Sequence, residues 1–433
     1  MMFKIMPCCV FNLDVFFFIG RIRMTEKHLF LPGDGLCGTH VSWSDIEEEM
    51  QHKLGTSARF GPNKSFKNIA DGKGFASKIL LIDPDWQPHL EEHPKHFVAK
   101  IASLLSGEKL KSKVDGEDWM DDVGSQIAIE KLMKRSHNVE VAIYEKLEML
   151  PEGKLRLPKI YSLKPFSESN PLKGYIIMEY VENAEGAPMY SNCTPESLKP
   201  VLRYIAVLTA NFLDVSLHEA EIFPKTPFKD MWSSEQLHQM WNASRLALRP
   251  WAGGKFTEKA DRLEQIAPSV FDTNRADNMA EECGMNRVLC HGDLWPGNVL
   301  WRSEGGEFHC VTVVDFQGAH FGCTATDFVR LFSLGLSGSD RRKHWEELME
   351  VFYKYLEEEV GDRAMPYTLE QLKEAYRRFF PIGAGLIAPF IRQVFEAVVQ
   401  NPTEEQRQQV IEKTECLLED VFSYHVRNEN LGK

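Results

Sequence analysis

Four side chains in and after the island Val288–Trp301 have types and spacing suited to chemistry. His291, Asp293 and Asn298 stand in the pattern His-x-Asp-x-x-x-x-Asn, and Asp315 follows in Val313-Val314-Asp315-Phe316-Gln317. Carboxylate and amide oxygens are ligands for a hard cation such as Mg²⁺, which holds the oxygens of a triphosphate. A carboxylate in the preceding loop can accept the proton of an attacking hydroxyl. A lone Asp before a strand is usually a turn residue. The joint pattern points to phosphoryl transfer.

That chemistry requires elements that gather the four residues. Ser303-Glu304-Gly305-Gly306-Glu307 has turn composition, so Val299–Trp301 and Phe308–Val314 can pair as a hairpin. The turn lies midway between Asn298 and Asp315, and closing the hairpin brings both to one end. Asp293 then sits in the loop before the first strand.

The rest of the chain reads as a β-rich part followed by a helical one. Ser42 and Asp45 have capping-box spacing and open a helix to about Lys53. Ser65–Ala70 and Ser77–Ile82 flank the turn Asp71-Gly72-Lys73-Gly74. Phe97–Ile101 and Gly174–Val181 read as strands, and Asp121–Met133 and Asn138–Leu150 as helices. After about Asn183 helical patterns dominate: Pro195–Val215, Ser234–Ala247, Lys255–Ala267, and again from Arg341. The expectation is an α+β chain with an extension over 1–24, a β-rich nucleotide-binding unit over 25–182, and a mostly helical catalytic and substrate-binding unit over 183–433.

The loop His291-Gly292-Asp293-Leu294-Trp295-Pro296-Gly297-Asn298, with Asp315-Phe316-Gln317, resembles the choline-kinase-like and aminoglycoside-phosphotransferase-like superfamily. It most resembles the ecdysteroid-kinase-like, or CHK kinase-like, proteins, whose loop is H-G-D-x-W-x-x-N. The resemblance spans about Gly35 to Phe422. It implies a bilobal protein-kinase-like fold and the cofactors ATP and Mg²⁺. It assigns Asp293 as catalytic base, Asn298 and Asp315 as magnesium ligands, and His291 as the histidine that organises the loop. Asp327 is read as a structural tie between the loop and the helical unit.

The same resemblance gives roles to the N-terminal half. Lys100, at the end of Phe97-Val98-Ala99-Lys100, would pair with the α- and β-phosphates. A lysine in a buried strand is costly to desolvate without a partner. Glu140 is the expected partner by family pattern, and Glu145 is the alternative. Gly72 and Gly74 would lend backbone N–H groups to phosphate oxygens. Met178-Glu179-Tyr180-Val181 looks like the linker whose backbone reads adenine.

Composition excludes several classes. The 433 residues carry a formal net charge of −13, so a general nucleic-acid role is not expected. The nine cysteines form no C-x-x-C pair and read as reduced thiols of a cytoplasmic protein. The apolar run from Ile5 to Ile19 is interrupted by Pro7, Asn12 and Asp14, so it is read as a loosely ordered extension, not a signal or membrane span. Gly33-Asp34-Gly35-Leu36-Cys37-Gly38 matches the dinucleotide fingerprint, but Leu31-Pro32 precedes it and no βαβ pattern surrounds it. The long stretch between Glu179 and His291, and the lack of Ala-Pro-Glu after Asp315, argue against a protein kinase.

A small-molecule kinase is therefore expected. A catalytically inactive nucleotide- or metabolite-binding relative is the alternative. Trp295, Phe321 and Ile382–Phe390 are candidates for the acceptor wall, with core packing as the competing reading. The ecdysteroid-kinase resemblance suggests a bulky hydroxylated acceptor, such as a sterol or a xenobiotic-derived alcohol.

Overall fold

The computed structural model describes residues 28–69, 77–105, 123–399 and 401–431. The expected extension over 1–24 and the turn residues Gly72 and Gly74 lie outside them. The described residues divide into two compact units, one of 28–151 with 157–182, the other of 152–156 with 183–431.

The strands of the first unit are β1 (Arg59–Phe60), β2 (Ser65–Asn68), β3 (Ser77–Asp83), β4 (Trp86–Gln87), β5 (Phe97–Ala102), β6 (Ile160–Lys164) and β7 (Tyr175–Glu179). Five of them form an antiparallel sheet in the order β2-β3-β5-β7-β6, and β1 pairs with β4. Side chains alternate faces along a strand. On β5, Phe97, Ala99 and Ile101 join Ile46 and Met50 of helix Trp43–Leu54 in one cluster. Ala102 belongs to the second cluster, with Ile129 and Met133 of helix Val123–Glu148. Lys100 shares the face of Ala102, so the pleat aims it at that helix.

The helix Trp43–Leu54 starts at Ser42, whose Oγ accepts from Asp45 N while Asp45 Oδ2 accepts from Ser42 N, and ends at left-handed Gly55. The second helix differs from expectation. It runs unbroken from Val123 to Glu148 through Ser136-His137-Asn138. Tertiary bonds carry those weak helix formers: His137 Nε2 lies 3.0 Å from Lys164 O, and Asn138 exchanges bonds of 2.8 and 2.9 Å with the Phe166 backbone.

His137 is fully buried, and burial lowers its pKa to about 4, with the Lys100 charge acting in the same sense and the Lys164 carbonyl against it. In the unfolded chain the ring takes its proton near pH 6.5. Between those values the unfolded state binds the proton and the folded state does not. This contribution to stability is therefore present above pH 6.5 and is lost as pH falls towards 4, by at most about 3 kcal/mol. Urea midpoints of wild type and His137→Gln across pH 7 to 4.5 should show a steeper acid loss in wild type. Parallel curves would remove His137 from the account.

The second unit is mostly helical. Long helices span Pro195–Asn211, Gly338–Val360, Leu369–Ile387 and Glu404–Leu431. Helix Glu235–Leu248 begins at its Ser234 cap, as its sequence suggests, and Thr257–Gln265 forms within Lys255–Ala267. Helical structure resumes at Ala325, earlier than Arg341, with helix Ala325–Gly335. Two small sheets among the described residues interrupt this framework. They are β8 (Glu185–Gly186) on the hairpin of β10 (Val299–Glu304) and β11 (Glu307–Val313), and a pair of β9 (Val288–Cys290) with β12 (His320–Gly322). The buried Lys413 ammonium lies within 3.0 Å of Met189 O, Ser191 O and Leu334 O, which ties the C-terminal helix to the end of helix Ala325–Gly335. No helix among the described residues is long and apolar enough to cross a membrane.

Candidate active site

The loop from His291 to Asn298 leaves β9 and enters β10. Its backbone is held by a single carboxylate. Asp327, in the first turn of helix Ala325–Gly335 and 1% exposed, accepts from His291 N at 2.7 Å and Gly292 N at 2.9 Å. Burial pushes the Asp327 carboxyl above its ordinary range, while the His291 and His320 rings and the two N–H groups oppose that shift. Asp327 is thus the tie between loop and helix.

His291 has no exposed surface, and both ring nitrogens are spent on backbone. Nε2 lies 3.1 Å from Val314 O, and Nδ1 accepts from Asp293 N at 3.3 Å. With Nδ1 accepting an N–H, Nε2 is the nitrogen that donates to the Val314 carbonyl. The ring joins the loop to the strand end that leads into Asp315.

Gly292 has φ +80°, and a Cβ there would lie 1.8 Å from Gly318 O. Only glycine permits this approach of the loop to the turn after Asp315. Gly297 is covered by the Trp295 ring, which a Cβ would strike at 2.3 Å. Pro296 O accepts from Trp301 Nε1 at 2.8 Å and Ala187 N at 3.0 Å, which fixes the loop on its small sheet.

Asn298 and Asp315 flank the hairpin as its turn composition suggests. Val299 pairs with Val313, and Val314 N donates to Asn298 O at 2.9 Å. Asp315 adopts a left-handed conformation, φ 68° and ψ 67°, which is costly for a residue other than glycine and clusters at functional sites. The Asn298 amide nitrogen donates to Asp293 O and Asp293 Oδ2, both at 2.9 Å, so its oxygen is the atom left to accept or ligate. Asp293 itself is 5% exposed, and its Oδ1 is ion-paired with Arg330.

This donor set fits Mg²⁺ in one respect. No group of three His, Cys, Asp or Glu side chains among the described residues could hold a metal. An amide oxygen and a carboxylate suit a cation that takes its remaining ligands from phosphate and water, which is how Mg²⁺ usually binds.

In the first unit, Lys100 Nζ lies 2.8 and 2.7 Å from the two oxygens of Glu140, with both residues buried. Glu145 is exposed. Glu179 closes β7 with its N–H on Lys159 O and its Oε2 accepting from Lys159 N, at 2.7 and 2.9 Å, and Val181 is buried two residues on.

Other expected features separate. The Gly33–Gly38 stretch is a tight turn closed by Gly33 N to Gly38 O and Gly35 N to Thr39 O, followed by helix Trp43–Leu54, with no preceding strand among the described residues. Ile382–Phe390 is almost wholly buried: Gly385 O accepts from Trp241 Nε1, and Gly383 lies against Phe379. Core packing accounts for it. Phe321 is half-buried and packs edge-on to Phe223 at 5.1 Å. Sequence reasoning alone misses Arg330. Its one signal is its position, one helical turn after Asp327, on the same face.

The profile of the family described as "Uncharacterized oxidoreductase dhs-27", DUF1679, matches residues 29–429. The chain belongs to this family. Among relatives in Caenorhabditis elegans, the protein called uncharacterized oxidoreductase dhs-27 is 23% identical over 334 residues, which are 75% of this chain and 39% of the relative. A second, called uncharacterized kinase-like protein D1044.1, is 32% identical over 126 residues, 28% of this chain and 32% of its own length. The alignments thus span well under half of either relative. A solved choline kinase from Cryptosporidium parvum aligns over 84% of this chain and 91% of its own, with 13% identity and a TM-score of 0.44.

Proposed function

We propose that this DUF1679 chain is an ATP- and Mg²⁺-dependent phosphotransferase that moves the γ-phosphoryl group to a hydroxyl of a small molecule. The observation that carries the reading is the clamped loop. Its backbone hangs from Asp327, its Asp293 carboxylate is held from two sides, and the hairpin sets Asn298 and Asp315 at one end. The kinase-like name of one relative agrees with it. The oxidoreductase name belongs to a protein of which the alignment covers 39%, and among the described residues no strand of the kind a dinucleotide site needs precedes the Gly33 turn.

In this reading Mg²⁺-ATP supplies the activated phosphoryl group, with the cation neutralising charge between its phosphates. Asn298 Oδ1 and the Asp315 carboxylate would hold the cation, and Lys100, steadied by Glu140, would hold the α- and β-phosphates. The backbone from Glu179 to Val181 would read adenine. Asp293 orients the acceptor hydroxyl and takes its proton as that oxygen bonds to phosphorus and ADP departs. His291 keeps the loop in register.

The acceptor is proposed to be an apolar alcohol, sterol-like or xenobiotic-derived. Its support is the likeness of the loop His291–Asn298 to that of the ecdysteroid-kinase-like proteins.

Thermal unfolding tests the nucleotide part. Mg²⁺-ATP at ~100 times its dissociation constant should stabilise the chain by about 2.7 kcal/mol, and NAD should not. A shift with NAD and none with Mg²⁺-ATP would overturn the reading. A Mg²⁺-ATP shift without ADP formation against a panel of sterols and aromatic alcohols would favour the inactive, nucleotide-binding alternative.

A further inference from the structure

Resting on that reading, we infer that Arg330 is a positioning residue for Asp293, and that one turn of helix Ala325–Gly335 sets both the backbone and the reacting carboxylate of the loop. Asp327 and Arg330 lie three residues apart on this helix, on one face. Asp327 takes the N–H groups of His291 and Gly292. Arg330 Nη2 takes Asp293 Oδ1, with the two side chains 19% and 6% exposed. The other oxygen, Oδ2, accepts from Asn298 Nδ2 at 2.9 Å.

The consequence follows from the geometry of a carboxylate. Each carboxylate oxygen has two lone-pair directions, so an oxygen that accepts one donor can still meet the acceptor hydroxyl. One donor alone leaves the carboxylate able to turn about its last bond. A hydrogen bond on Oδ2 and an ion pair on Oδ1 restrain it from both sides. The Arg330 charge stays in place at every working pH, and its flat head packs in a partly buried position. Asn298 alone also answers to the cation through Oδ1, so its hold on Asp293 would vary with nucleotide binding. Arg330 comes from the helix and supplies a hold that does not.

The experiment is a double-mutant cycle on the full chain. Arg330→Met and Asp293→Asn are compared singly and together, with Arg330→Lys alongside. The readouts are ADP formation from Mg²⁺-ATP with the acceptor panel, Mg²⁺-ATP affinity, and the melting temperature. Arg330→Met should lower turnover by ~10²-fold, the scale of a small misplacement of a reacting group, with nucleotide affinity unchanged. In the D293N background it should change turnover little. Arg330→Lys should recover part of the loss.

Equal losses in the two backgrounds would mean that Arg330 acts only through general folding, and would overturn the inference. So would full turnover of Arg330→Met beside an impaired Asp293→Asn, which leaves the proposed function standing. If Asp293→Asn turns over normally, the function itself falls and this inference with it. The melting temperatures separate the physical pair from its role: Arg330→Met should lower the value more in the wild-type than in the D293N background.

Discussion

Asp293→Asn is expected to lower phosphate transfer by ~10²- to 10⁴-fold, the usual worth of a general base, and to leave Mg²⁺-ATP affinity nearly intact. The substitution keeps the shape of the side chain, and its oxygen can still meet a donor. It removes the group that takes the proton. Asp315→Asn is expected to behave differently. It takes a charge from a hard-cation site that prefers carboxylate, so magnesium-dependent nucleotide binding should weaken together with turnover. The comparison needs nucleotide affinity with and without Mg²⁺, and transfer, for both variants. If Asp293→Asn loses magnesium-dependent binding while Asp315→Asn keeps it, the two roles are exchanged. If neither changes transfer, the loop is not the reacting site.

Asp327→Ala is expected to be the most destabilising single change near the site. The carboxylate is 1% exposed and accepts from two buried N–H groups, those of His291 and Gly292. An orphaned buried donor costs ~1–3 kcal/mol, so losing both acceptors should cost about 3 kcal/mol or more. That is a large share of the roughly 5–15 kcal/mol that typically separates folded from unfolded chains. Asp327→Asn should lie between, because an amide offers one oxygen and turns its NH₂ towards the second donor. Urea midpoints would rank wild type above Asn above Ala. Transfer should fall in the same order, since a loop released from the helix no longer fixes Asp293. Equal midpoints for all three would show that the loop is held by its other bonds, the His291 ring and the Pro296 carbonyl among them.

Much of this site is legible in the sequence. The turn between Asn298 and Asp315 requires a hairpin, because two short apolar runs flank a Gly-Gly pair. Hairpin closure then places the two oxygen-bearing residues together by register alone. The capping box at Ser42 and the strand that carries Lys100 are legible for the same reason: their signals are local, within a few residues. Asp327 is legible through its spacing from Asp315, twelve residues, in a resembling family.

What the sequence leaves open is decided by contacts between distant residues. Glu140 and Glu145 lie on the same helix and are alike as residues. Only the packing of helix Val123–Glu148 on the sheet buries Glu140 against Lys100 and leaves Glu145 in solvent. Low helix propensity at Ser136–Asn138 suggests a break, and bonds to Lys164 and Phe166 override it. The apolar segment Ile382–Phe390 reads equally as wall or core, because hydrophobicity alone does not say which surface covers it. Arg330 is the clearest case. Its sequence position says only that it follows Asp327 by one turn. That its guanidinium reaches Asp293, a residue of a separate loop, follows from the fold bringing helix and loop together, and no local pattern encodes that distance.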